Sequence, residues 1–328
     1  MMRSPRSLAV VCRRPDGSVV IKEDEWRPVW GHLRFLRLPV LRGGIVLLES
    51  LVNGLRALTF AASQQVPKTA SAPRSSGTPA VQDPALGSSL EVVGMVAVAM
   101  LFGVALFVGA PHLATWGLGS TLGFDATSPT FHIVDGLIKL AILVGYMAAI
   151  SRLGDVQRLF QYHGAEHKAI FTFEQGLELT IANARGMSRF HPRCGTSFLL
   201  TVILVSVVLF TALLSIPLAQ SATVDHLLKI AIKIPLMVPL AGLSYELIRT
   251  AGNHCETSRL ARALSAPGML LQKITTREPD DAQLEIALIS IRKTLWREQQ
   301  GDAARCGLGD GSYEVFVSTD EINLPLVA

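Results

Sequence analysis

The chain has 328 residues, 49% of them hydrophobic and only 17% charged, with a formal charge of +4 and a pI near 9.0. A soluble domain carries about 25% charged residues because its exterior must be wetted. Here the apolar residues gather into long runs between residues 90 and 250. That excludes a purely soluble globular enzyme, a disordered chain and a fibrous repeat protein. Four scattered cysteines (Cys12, Cys194, Cys255 and Cys306) form no CxxC and no disulfide framework, so reduced thiols are expected.

Residues 1–61 read as a basic N-terminal region. Leu8–Arg13 and Ser18–Lys22 are short β-leaning runs around Pro15-Asp16-Gly17, a turn-forming tripeptide, so a hairpin is predicted. No apolar stretch follows the first arginines, so no signal peptide is expected. From Leu41 to Phe60, Ile45, Leu48, Val52, Leu55 and Leu58 recur at helical spacing, with Glu49, Asn53 and Arg56 between them. This amphipathic helix either packs on a partner or lies in the membrane interface. Residues 62–89 are Ser, Pro, Ala, Thr and Gln with almost no large apolar side chain. Burial cannot offset their ordering entropy, which reads as a flexible linker.

Four membrane spans are predicted within 90–249, at about 90–110, 131–150, 197–219 and 226–248. Each has the roughly 20 apolar residues that cross about 30 Å of hydrocarbon. The second carries Asp135 and Lys139, one turn apart and mutually neutralising. The fourth carries Lys229 and Lys233, read as snorkelling toward its outer end, and Pro235 and Pro239, read as a kink. Lys and Arg number twelve before the first span, none in 111–130, six in 151–196, none in 220–225 and nine from Arg249 onward. That alternation places both termini in the cytoplasm and accounts for the basic pI without nucleic acid. The C-terminal lobe, 250–328, contains a helix over 282–298, capped by Thr276 or Asp280. Its apolar stripe is Leu284, Ala287, Leu288, Ile291 and Leu295, and a short strand follows at 313–318. The predicted fold class is thus an all-α polytopic membrane protein with a small cytoplasmic hairpin and a helical C-terminal lobe.

One motif carries chemistry: His163-Gly164-Ala165-Glu166-His167, the pattern H-x-x-E-H. Histidines four apart on a helix share a face and can hold one metal ion between them. A carboxylate beside them can orient or deprotonate an activated water. About 0.01 matches are expected by chance in a chain of this size, and the same spacing marks the inverted zinc peptidases. Further ligands are sought on the same side of the membrane. They are His191 or Cys194 in His191-Pro192-Arg193-Cys194-Gly195-Thr196, and Glu246, 79 residues after His167 as in the peptidases' distant glutamate. Arg193 or Arg249 is available to stabilise a developing anion. Ordinary readings stand beside these: interfacial histidines bonded to backbone, a buried Cys194, and a Glu246 paired with Arg249 at i+3.

The chain resembles the YqhQ family of bacterial membrane proteins. The resemblance rests on Met2-Arg3-Ser4-Pro5-Arg6, Leu41-Arg42-Gly43-Gly44, Tyr162–Lys168, His191–Thr196, Tyr245-Glu246, Pro267-Gly268 and Leu271–Pro279. Members of that family usually carry a Gly-rich segment ending in Met-Met-Arg, and this sequence begins at that Met-Met-Arg. The resemblance implies a multi-pass protein of the bacterial inner membrane, described as a predicted metal-dependent enzyme.

The expectation is therefore a zinc-dependent membrane hydrolase with its site at the cytoplasmic face. Its surroundings are the lipid bilayer and a protein or peptide substrate, a step made by analogy. Two alternatives remain: a non-enzymatic scaffold with a structural metal site, and a transporter using Asp135 and Lys139.

Overall fold

The computed structural model describes residues 1–5, 7–25, 41–65, 89–255, 257–300, 313–322 and 324. Of the predicted linker 62–89, residues 62–65 instead extend the helix that begins at Leu41 and Ser89 opens the next one, and the rest lies outside the described residues.

The hairpin forms as expected. Strand β2 (Ser7–Arg13) and β3 (Val19–Glu25) pair antiparallel with Val11 opposite Ile21. The turn between them places Gly17 at φ +86°, a conformation that favours glycine. The sheet is larger than the sequence suggested. Met2–Arg3 (β1) adds to β2, and Tyr313–Phe316 (β4), from the far end of the chain, adds to β3. Leu8 to Cys12 is an unbroken apolar run because both faces of the sheet are covered. On one face, Val11, Val19 and Ile21 pack on Ile286 and Ile289 of helix α10 (Asp281–Gln300). On the other, Val10, Cys12, Val20 and Tyr313 meet Ala57 and Phe60 of helix α1 (Leu41–Gln65).

Helix α10 starts at a reciprocal cap: Gln283 N donates to Asp280 Oδ1, and Asp280 N donates to Gln283 Oε1. Its other face, Leu284, Ala287, Leu288 and Ile291, buries against Ala165 and Ala169 of α5 (Gly154–Glu174) and against Leu179 and Ala184, the latter in the short α6 (Ile181–Arg185). Each of those leucines and isoleucines stabilises the lobe by about 1.5–3 kcal/mol. Sheet, α10 and α5 thus form one packed lobe drawn from both ends and the middle of the chain.

Among the described residues, five helices are long and apolar enough to cross a membrane, not four. Helix α1 is the addition, and it is approached at both ends. Gly43 packs against Gly242 and Tyr245 of α8 (Ala222–Asn253), while Gln64 and Gln65 bond Arg14 and Arg13 of the hairpin. The first predicted span is longer than its apolar run. Helices α2 (Ser89–Val104) and α3 (Ala110–Leu122) are joined by a π-helical turn, Ala105–Gly109. The predicted outer loop is therefore helical as far as Leu122. Pro111 offers no N–H and crowds the carbonyl one turn back, and the wider π turn lies where that crowding falls. Helix α4 (Pro129–Ile150), capped by Ser128, and α7 (Gly195–Leu214) match the second and third spans closely. Helix α8 continues through Pro235 and Pro239 as one helix. Helix α9 (Arg259–Thr275) packs across α7 and α8, and Leu271 enters the cluster of Leu143 and Ile203.

Candidate metal centre

Helix α5 carries His163 and His167 on one face. Two features bring a third donor to that face. Gly164 lies against the Arg277 carbonyl, which a Cβ would meet at 2.2 Å, so this glycine lets the 276–279 segment close on the helix. Gln272 of α9, fully buried, accepts from His191 N and donates to the His191 carbonyl and to Ser197 Oγ. These bonds clamp the loop before α7 and set Cys194 at the N-cap of that helix.

One donor atom from each of His163, His167 and Cys194 lies within 4.8 Å of the others. His163 Nε2 is 3.2 Å from Cys194 Sγ. Both rings are fixed by backbone acceptors. His163 Nδ1–H donates to the Thr275 carbonyl at 2.9 Å, and His167 Nδ1–H to the Arg189 carbonyl at 2.5 Å. That is the outer-shell bonding by which metal-ligating histidines are oriented. Two neutral imidazoles and a thiolate suit zinc, whose bonds of about 2.0–2.3 Å separate tetrahedral ligand atoms by about 3.5 Å.

The electrostatics favour a thiolate. Burial pushes the Cys194 thiol up, but hydrogen bonds from His163 and His167, with the charge of both rings, bring it down to about 5. For His163, burial works against the proton, yet the bond to Cys194, the thiolate charge, the Thr275 carbonyl and Glu166 together leave it above its ordinary value. Cys12 behaves oppositely: burial in the sheet pushes its thiol to about 11.

The other candidates fall around this centre or away from it. His191 packs 5.6 Å, centroid to centroid, from His167. Its Nδ1 accepts from Arg193 N, and its Nε2 lies 3.4 Å from Glu174. Burial holds it below its ordinary value, which keeps it neutral. Arg193 also pairs with Glu174 and lays its side chain over Gly252. Glu166 flanks the histidines but bonds the Met1 amine at 2.5 Å. Glu246 forms a two-pronged ion pair with Arg42, at 2.5 and 2.7 Å, rather than joining the donors. Arg249 is exposed beside it. The sequence reading missed Gln272, Thr275 and Glu174. Their roles are side-chain clamp, backbone acceptor and loop ion pair, and none of these has a spacing signature.

Lys229 and Lys233 do not snorkel. Both are fully buried, held by Asp225 and Asp135 respectively.

These features define a helical protein with membrane-spanning candidates that gathers two histidines and a cysteine between α5 and the start of α7. Residues 38–297 match the family described as "Protein of unknown function (DUF1385)", and the chain belongs to that family. It is 30% identical over 272 residues to the "Uncharacterized protein YqhQ" of Bacillus subtilis (strain 168), across 79% of this chain and 77% of the relative. No solved structure matches.

Proposed function

We propose that this protein is a zinc-dependent hydrolase of the bacterial cytoplasmic membrane, working at the cytoplasmic face. The observation that carries the reading is the convergence of His163, His167 and Cys194 within 4.8 Å, three protein donors with both rings anchored by carbonyls. Three protein ligands leave a fourth position open, as catalytic rather than structural zinc sites do. When bound, the ion supplies Lewis acidity to a carbonyl and to a water. Glu166, on the same helical face, takes the proton of the attacking water and returns it to the leaving group. Arg193, the residue immediately before Cys194 and exposed, stabilises the anion that develops. A peptide bond is the substrate class that the H-x-x-E-H spacing favours.

The four-span topology belongs to the same reading. It is supported by the pairing of β3 with β4, which joins segments near the two ends of the chain, and by the Lys and Arg counts, which favour a cytoplasmic side for both. Helix α1 is tied at one end to Glu246 near the close of α8 and at the other to the sheet. It therefore runs along the cytoplasmic face instead of crossing.

A structural site is the second reading. It is favoured by the way the donors join α5 to α7. Metal analysis of detergent-purified full-length protein is the first test. Wild type is expected to carry about one zinc per chain and His163→Ala/His167→Ala close to none. Near-zero content in both would sink the metal reading. Glu166→Gln then separates the two roles: the hydrolase keeps its metal and loses turnover of a membrane-protein substrate, whereas a staple has no turnover to lose.

A further inference from the structure

The ends of the spans remote from the sheet hold a second polar cluster, separate from the metal centre. Its core is one connected string of side chains. Asp135 Oδ2 accepts from Lys139 Nζ at 2.6 Å and from Lys233 Nζ at 3.0 Å. Lys233 Nζ lies 2.9 Å from His112 Nδ1, and His112 Nε2 lies 3.0 Å from His226 Nδ1. His226, one turn into α8, stacks on Trp116 at 4.4 Å. Lys229, fully buried beside them, bonds Asp225 and the Ala126 carbonyl.

Two properties set this cluster apart from a structural ion pair. It buries three lysines against two buried aspartates, the third carboxylate within reach, Asp125, lying exposed at the rim beside Lys229 and His226, and buried charges inside a membrane protein are costly. In addition, both ring nitrogens of His132 and Asp135 Oδ1 are buried without a protein hydrogen-bond partner. Buried polar atoms left unpaired are destabilising. Fold stability alone selects against both features.

The donor pattern is determined. A Lys233 ammonium donates to His112 Nδ1, which fixes His112 as the Nε2–H tautomer. That proton is donated to His226 Nδ1, leaving His226 with its proton on Nε2, toward the start of α8. We propose that Lys233, His112 and His226 form a proton relay inside the membrane, exchanging one proton between Lys233 and the aqueous phase at the end of the spans remote from the sheet. On release, the Lys233 N–H bond breaks as His112 Nδ1 gains a proton, His112 Nε2–H passes to His226 Nδ1, and His226 Nε2–H passes to water. Lys233 becomes a neutral amine, both rings exchange tautomers, and the reverse sequence restores the start without a ring flip.

Lys233 is faced by His112 from α3 and by Asp135, His132, Lys139 and the Phe131 ring from α4. The Phe210 ring of α7 completes its surroundings, with Lys229 and His226 along its own helix. Asp135 remains bonded to Lys139 throughout, so the charge of the cluster changes by one per proton. The string stops at Lys139. One turn further, Leu143, Ile203 and Leu271 form an apolar layer between it and the Thr275 carbonyl of the metal centre. A proton-dependent conformational or transport step needs a buried titrating charge with a path to one side of the membrane.

The test is proton exchange at the Lys233 ammonium, read by NMR on ¹⁵N-lysine-labelled full-length protein in lipid nanodiscs, with Lys233→Met assigning the signal. The relay predicts exchange with water slowed at least about tenfold in His226→Ala and restored by added imidazole. His226→Gln, which keeps a bond to His112 but cannot pass a proton, is slowed equally and guards against loss of fold in the alanine variant. Wild-type exchange in His226→Gln overturns the proposal. So does slowing that imidazole fails to reverse, which would mark a purely structural bond.

Discussion

The two polar clusters use the same residue, histidine, in opposite ways. In the lobe-facing centre, His163 and His167 each surrender Nδ1 to a backbone carbonyl, and the donors that remain converge on one point with Cys194. In the spans, His112 and His226 bond only other side chains, and the string they form runs lengthwise. Backbone anchoring fixes a ring and leaves one nitrogen for a shared ligand. A donor–acceptor string leaves every ring free to change tautomer. The difference also appears in charge. In the lobe-facing cluster a cysteine held toward its thiolate faces two histidine rings, whereas the membrane cluster buries three lysines against two aspartates.

The sharpest way to break that contrast is Asp135→Asn. It leaves two buried ammonium groups without their shared carboxylate, and removal of one partner of a buried pair costs about 3–5 kcal/mol. Thermal unfolding in detergent should show a large drop. The double variant Asp135→Asn/Lys139→Met should recover part of it by removing one stranded charge. The zinc content of the folded fraction should not change, because the apolar layer of Leu143, Ile203 and Leu271 separates the clusters. Next in size is Gly164→Ala. Its Cβ would meet the Arg277 carbonyl at 2.2 Å, so α5 and the 276–279 segment must part. Overpacking of this kind costs about 1–3 kcal/mol. Since the Thr275 carbonyl that orients His163 moves with that segment, zinc affinity should fall about 10–100-fold in a competition with a chelator.

A pH titration of metal-free protein sharpens the lobe-facing side alone. The Cys194 thiol is held down at about 5 in the fold, far below the unfolded value of roughly 8.5. Its stabilisation is complete above the unfolded value, shrinks as pH falls and is gone below about 5. His163, held above its ordinary value, acts in reverse: its contribution is complete in acid and is lost as pH rises through the raised value. Thiolate ultraviolet absorbance should therefore persist at neutral pH and vanish with a midpoint near 5. In His163→Ala the midpoint should move up toward that of a buried thiol. An unshifted midpoint would remove the dyad.

The sequence discloses these two regions unevenly. His163 and His167 are legible because helical spacing alone puts them on one face, and Cys194 because it precedes an apolar run that must begin a helix. Asp280 and the stripe from Leu284 to Leu295 are legible for the same local reasons. Contacts between distant segments are not. Nothing in Tyr313–Phe316 names β3 as its partner, and nothing in α1 says that its apolar side chains run between α8 and a sheet. Lys229 and Lys233 look like snorkelling residues when α8 is read by itself. Yet His132, Asp135 and Lys139 repeat the spacing i, i+3, i+7 that His226, Lys229 and Lys233 follow on α8. Two polar faces of equal pitch on two spans are a readable sign that the helices meet along them.

The smallest expected effect concerns Glu246, whose distance from the motif suggested a third ligand. Its two carboxylate oxygens are taken by the Arg42 guanidinium, while the third donor near the histidines is Cys194. Glu246→Gln should therefore leave zinc content unaltered and cost at most about 1 kcal/mol, the range of a partly exposed ion pair. What it should change is the seating of α1, because Arg42 and the close approach of Gly43 to Gly242 and Tyr245 are the contacts holding its N-terminal end. Limited proteolysis just before residue 41 should accelerate in Glu246→Gln and again in Arg42→Ala, with the double variant no faster than either. Loss of zinc in Glu246→Gln would instead make Glu246 a member of the metal centre.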